Sequence, residues 1–294
     1  MKLSSRASLA LFIATFFWGA TFVVVKEALN HSSALLFIAV RFTIATLIVA
    51  TLMRQRLKPD SRWADSARCG VLAGACLFLG YAFQTIGLRY TTPTKSAFVT
   101  SLLVVMVPLL GAILYRSVPV AAEWVGVLLS VTGLGLLTLR GEDLRPAAGD
   151  VITFGCTIAY AGHILVVGRF AGRTRFEQVA VIQLGVCAAL AWLAFPVVEE
   201  PFFRSSPILW FAILVTAVFT TAFGFTVQAW AQQHTTPTRT ALIFVCEPLF
   251  AWLTSYLMTG EVLDPRGVAG AALILAGILL VEMKPFRTMG HLSP

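Results

Sequence analysis

The chain has 294 residues, of which 58% are apolar and 12% charged, about half the charged share of a soluble domain. Mean hydropathy is +0.84. With 22 Lys and Arg and 14 Asp and Glu, there is too little charge for a polar shell. Composition thus excludes an ordinary soluble enzyme, a disordered protein and a disulfide scaffold, and points to a protein dissolved in lipid. The net charge of +8 is not gathered into a basic stripe, so nucleic acid is not an expected partner. The cations sit between apolar runs, as in the loops of a membrane protein.

Crossing about 30 Å of hydrocarbon takes about 20 helical residues, and long continuous runs exclude a β-barrel. The first run, Ala7–Ala28, follows Lys2 and Arg6 but is longer than a signal-peptide core. It leads into Lys26 and Glu27 with no small-residue cleavage site, and reads as a retained span. The second, Ser33–Met53, carries Arg41 eight residues in. The longest connection, Arg54 to Ser66, contains Lys58-Pro59-Asp60 and reads as a loop. The third span, Arg68–Arg89, places Tyr81 and Gln84 on one helical face. Thr91-Thr92-Pro93-Thr94 then leads into Lys95–Tyr115, followed by Ala121–Leu139. The sixth to eighth runs are Gly149–Gly168, with Tyr160 and His163, Glu177–Val198, and Ile208–Gln232, with Phe225 and Gln228. After Thr235-Thr236-Pro237-Thr238 come Thr238–Met258, with Glu247-Pro248, and Arg266–Glu282. The fold class is therefore all-α, with ten membrane spans. Five cysteines form no Cys-x-x-Cys pair and have no His at metal spacing, so they read as packing residues; no metal or cofactor is expected.

Gly80–Leu139 aligns without gaps on Gly224–Met283. Gly80, Gln84, Thr91-Thr92-Pro93-Thr94, Gly126 and Gly133 match Gly224, Gln228, Thr235-Thr236-Pro237-Thr238, Gly270 and Gly277, and Lys95 matches Arg239. Upstream the match is weaker, with Trp18 opposite Tyr160 and Arg41 opposite Gln183. The expected halves are residues 1–140 and 141–294, five spans each. Five is odd, so the second half enters the membrane from the opposite side, the inverted-repeat design of secondary transporters. Fourteen Lys and Arg fall on one side and seven on the other, which places both termini in the cytoplasm.

Phe17-Trp18-Gly19-Ala20, Arg41-Phe42, Ala97-Phe98-Val99-Thr100-Ser101 and Val107-Pro108-Leu109-Leu110 resemble the EamA family of the drug/metabolite transporter superfamily. So do Glu247-Pro248-Leu249-Phe250, Gly260-Glu261-Val262-Leu263 and the stretch from Gly270 to Gly277. The resemblance covers nearly the whole chain. It implies a ten-helix permease of the bacterial inner (plasma) membrane, built from two inverted repeats and exporting amino acids, related metabolites or toxic compounds. In one departure, Leu103-Val104 stand opposite Glu247-Pro248, so any acidic site is one-sided.

Ionisable groups inside lipid are costly and usually line a cavity or meet a partner. Glu247 lies nine residues beyond Thr238, about 14 Å along the helix. Pro248 cannot donate a backbone hydrogen bond, which opens the helix near Phe244 and frees a carbonyl. A carboxylate and a loosened carbonyl suit a proton, a cation or an ammonium group. Arg41 is a candidate partner for Glu247 or for a substrate carboxylate. Trp18, Tyr81, Gln84, Tyr160, His163, Phe225 and Gln228 complete a candidate substrate-binding or coupling site with aromatic walls and polar tips. Lys95 and Arg239 read as interfacial anchors. Gly126, Ser130 and Gly133 on the fifth span, and Gly267, Gly270, Ala271 and Gly277 on the tenth, allow close helix approach within the chain or across a homodimer.

The expected function is secondary export of small organic solutes by alternating access. No P-loop is present, and coupling to protons and facilitated movement both fit. The rivals are an intramembrane enzyme acting on lipid-like substrates, which would need a catalytic constellation the residues do not assemble, and a channel or receptor, which usually builds rings of like groups.

Overall fold

The computed structural model describes residues 3–116, 120–138, 147–259 and 264–283. The expected boundary between the halves, the Gly260–Leu263 landmark, and Lys2, Leu139, Arg140, Arg145, Lys284 and Arg287 lie outside them. The described chain is all-α, without strands; one isolated bridge joins Ser32 to Phe203. Its helices are α1 (Leu3–Ala28), α2 (Ala34–Met53), α3 (Trp63–Arg89), α4 (Pro93–Ser101), α5 (Leu103–Tyr115) and α6 (Ala121–Thr138). There follow α7 (Ala148–Phe170), α8 (Phe176–Val198), α9 (Pro207–Val215), α10 (Gly224–Ala231), α11 (Pro237–Phe244), α12 (Glu247–Thr259) and α13 (Pro265–Glu282). A π-helical stretch, Thr216–Phe223, welds α9 to α10.

Among the described residues, seven helical stretches are long and apolar enough to cross a membrane, fewer than the ten runs in the sequence. The fifth and tenth runs, within α6 and α13, are apolar but shorter, and the ninth is split between α11 and α12. That split falls where Pro248 predicts it: α11 ends at Phe244 and α12 starts at Glu247. The fourth run is split as well, at Leu102, with no proline at the break. There the Val99 carbonyl accepts both the Leu102 N–H at 3.2 Å, in a tightened turn, and the Thr157 hydroxyl of α7 at 2.8 Å. The expected loop from Arg54 to Ser66 is shorter than its composition suggests. Arg54–Arg56 forms a 3₁₀ turn and α3 begins at Trp63. The segment is tied to α8 by Arg56–Glu177 at 3.1 Å and by Gln178 donating to the Lys58 carbonyl.

The two T-T-P-T segments are helix starts. Thr92 and Thr236 each cap with the side-chain oxygen, accepting from the N–H of Lys95 and of Arg239 at 3.2 Å, and Pro93 and Pro237 take the first helical position. This is what a hydroxyl followed by proline does best at a helix N-terminus. The turns lie at opposite ends of the bundle. Lys26 donates to the carbonyls of Leu88, Arg89 and Thr91, and Arg89 to that of Ser32, so the Thr91 turn shares one end with residues 26–33 and 199–206. Gln233 donates to the Thr174 carbonyl and Arg175 pairs with Asp60, so the Thr235 turn shares the other end with residues 56–62 and 171–175. These are termed the Lys26 end and the Arg175 end.

Helices α6 and α13 run antiparallel through a glycine seam. A Cβ on Gly133 would stand 2.5 Å from the Gly270 carbonyl oxygen, and one on Gly270 equally close to that of Gly133. Gly126 and Gly277 repeat the contact one level along. The expected small-residue pairing is thus made within the chain. Arg239 is not an interfacial anchor. It is buried and donates to the Val281 carbonyl at 3.0 Å, because the last turn of α13 leaves carbonyls in need of a donor.

Candidate functional site

At the centre of the bundle lies a cavity. Trp18, Arg41, Tyr81, Gln84, Tyr160, His163, Phe225, Gln228 and Glu247 all line it, so the structure gathers all nine candidate residues into one place. It extends past Phe22 and Thr85 to Val25 and Leu88, next to the Lys26 end.

Glycines set the aromatic walls. A Cβ at Gly80 would collide with the Tyr160 ring, and one at Gly224 would come within 3.1 Å of the Trp18 indole. The bare backbone at these two repeat-matched positions lets each ring lie flat across the helix opposite. Phe225 packs against Trp18, Phe42, Tyr81 and His163, with ring centroids 5.4 to 6.3 Å away, within the usual range for aromatic pairs. Tyr160 donates to Gln84 at 3.1 Å, and Gln84 to Thr100 at 3.0 Å, which fixes the amide along the wall.

Glu247 is 7% exposed, and its carboxylate has no hydrogen-bond or ion-pair partner among the described residues. It sits at the α11–α12 break, where Pro248 offers no N–H to the Phe244 carbonyl. Gly19 of α1 fits directly against the Glu247 carbonyl; any side chain there would strike it. The expected pairing of Arg41 with Glu247 is not made. Arg41, 4% exposed, spends its donors elsewhere: Nε on the Thr221 hydroxyl at 2.6 Å, and a terminal nitrogen on the Thr220 hydroxyl and on Tyr81 at 3.2 Å. Its guanidinium lies 4.8 Å from the Tyr81 ring centre. A fork of donors matched by neutral oxygens and an aromatic face can be buried without a counter-ion.

Thr220 and Thr221 belong to the π-helical stretch, and the Trp18 indole N–H donates to the Thr220 carbonyl at 2.8 Å. π-turns free backbone groups and recur at functional sites; here α1 and α2 both seize what this one presents. Sequence reading missed these threonines. It also missed Gln183 and Gln232, which bond to His163 and Gln228 beside the cavity. The one available signal was Gln183 standing opposite Arg41 in the repeat.

The pattern of the whole chain decides its kinship. Residues 5–139 match the EamA-like transporter family, and residues 147–283 match it again. The chain belongs to the EamA-like transporter family. A relative in Archaeoglobus fulgidus, named an uncharacterized transporter, is 31% identical over 95% of this chain and 86% of its own length. The Bacillus subtilis protein named uncharacterized transporter YyaM is 23% identical over 90% of this chain and 89% of its own. A solved crystal structure shares the fold with a TM-score of 0.76, at 20% identity, over 94% of this chain and 96% of that one. An EamA-like membrane transporter is a protein of the bilayer that handles small molecules.

Proposed function

We propose that the protein is a secondary transporter that exports small organic solutes, such as amino acids, related metabolites or drugs, by alternating access. Its two five-span halves are inverted repeats, both termini are cytoplasmic, and the membrane is a bacterial inner membrane. Several observations support the inverted design. The T-T-P-T caps sit at opposite ends. Tyr160 lies over Gly80 as Trp18 lies over Gly224. Helix α1 packs on α12 as α7 packs on α5. The family matches once in each half.

The observation that carries the transport reading is the cavity itself, which draws its lining from both halves and holds an unpaired carboxylate at a helix break. Broken helices at mid-membrane are where carriers place substrate and coupling ion. With Arg41 committed to Thr220, Thr221 and Tyr81, Glu247 is the acidic side chain left open to a proton or a solute amine. The aromatic rings around it suit an amphipathic body.

The test is counterflow. Purified protein in vesicles, preloaded in turn with unlabelled amino acids and aromatic amines, should accumulate the matching labelled solute transiently. Product formation in place of accumulation would make it an enzyme, and large ion current a channel; either overturns the reading.

A further inference from the structure

The cavity reaches unequally far toward the two ends of the bundle. Toward the Lys26 end its lining continues past Phe22 and Thr85 to Val25 and Leu88. Toward the Arg175 end the lining ends at His163, Ile164 and Gln228. Behind these lie Gln183, fully buried, and Gln232, 2% exposed. The four side chains form one continuous chain across α7, α8 and α10. Gln232 donates to the Ile164 carbonyl at 2.8 Å, Gln228 donates to Gln232 at 3.1 Å and meets His163 Nδ1 at 3.4 Å, and His163 Nε2 meets Gln183 at 2.9 Å. Gln183 closes the chain on the Phe225 carbonyl at 3.4 Å.

We infer that Gln183, His163, Gln228 and Gln232 are the barrier that shuts the cavity from the Arg175 end, and that opening there requires this chain to part. The inference rests on the transporter reading and adds the residues that block its path. Three features argue for a barrier rather than inert core. The chain caps the cavity floor instead of running along its wall. Its links are neutral side-chain hydrogen bonds, individually weak once water can replace them, and water has access as soon as the helices separate. The repeat-matched positions behave differently: Gln84 and Leu88, the counterparts of Gln228 and Gln232, both line the cavity on its way to the Lys26 end, and Gln84 lies bonded along the wall to Tyr160 and Thr100, whereas Gln232 stands behind the lining. Equivalent positions that differ in this way are what two halves exchanging roles would display.

The experiment needs no solute. Ile164→Cys is placed in the full chain, with the unsubstituted protein as background for the five native cysteines, and a membrane-impermeant maleimide is applied to vesicles of each orientation. The single variant should react from the Lys26 face and be protected from the Arg175 face. Adding Gln232→Ala should raise labelling from the Arg175 face about tenfold, the order expected when both bonds of that amide are lost. Gln183→Ala should act in the same direction, and decides the matter if the Gln232 variant fails to fold. Gln233→Ala, which breaks the neighbouring bond to Thr174 outside the chain, should leave labelling unchanged. Labelling from the Arg175 face that neither alanine alters, or that Gln233→Ala raises equally, overturns the inference. Absence of counterflow for every solute would count against the transport reading and would not move this labelling.

Discussion

Arg41 and Glu247 are ionisable side chains that line the central cavity, and they are housed in contrasting ways. Arg41 is saturated by Thr220, Thr221 and Tyr81, whereas Glu247 faces the cavity with nothing bound to it. A group already satisfied shapes the site, and one left unsatisfied is available to a passenger. Glu247→Gln should therefore lower counterflow at least tenfold or flatten its dependence on pH; full rate with an unchanged pH profile would remove Glu247 from the mechanism. The double change Thr220→Val with Thr221→Val strands part of a buried guanidinium, which should cost about 1–3 kcal/mol, read as an earlier thermal unfolding midpoint in detergent. Arg41→Lys should not be a mild change either, since one ammonium cannot span both hydroxyls as the fork does. Both charges were legible in the sequence because each interrupts an apolar run. The threonines were not. A hydroxyl inside a helix can satisfy itself on the carbonyl four residues back, as Thr216 does on Ala212, so threonine in a span signals nothing by itself.

At the scale of elements, helix interruptions shape the cavity, and they have separate origins. The α11–α12 break follows from a proline and was readable as such. The α4–α5 break coincides with Thr157 reaching across from α7 to the Val99 carbonyl, a tertiary contact that no local pattern announces. The π-stretch is equally silent in sequence: in the matching half, α3 runs unbroken from Trp63 to Arg89. The glycine seam, by contrast, was visible as small-residue spacing on two runs, and its geometry gives a sharp expectation. Gly133→Leu forces α6 away from the backbone of α13 and should destabilise by about 1–3 kcal/mol or more, seen as loss of monodisperse protein on heating. Gly172→Ala, in a turn where a Cβ meets nothing within 4 Å, should stay within about 0.5 kcal/mol.

Over the whole molecule, that the nine candidate residues share one cavity was foreseeable because lipid makes polar side chains conspicuous and the repeat sets Phe225 opposite Tyr81. What sequence could not yield is toward which end the cavity extends, because that is a property of one conformation. Orientation in the membrane has a direct test. Small tags inserted beside Lys95 and beside Arg239 should be reached by an impermeant reagent from opposite faces; reaction of both from one face would dismantle the inverted architecture. The seam between α6 and α13 carries a mechanical consequence. It joins one helix of each half with main chain against main chain at two successive levels. Sliding one helix along the other would drive carbonyl oxygens into glycine α-carbons. Small swivels leave those close approaches intact. In the proposed alternating access the pair would act as an axle, and the gap that admits cargo should widen most in the helices farthest from it.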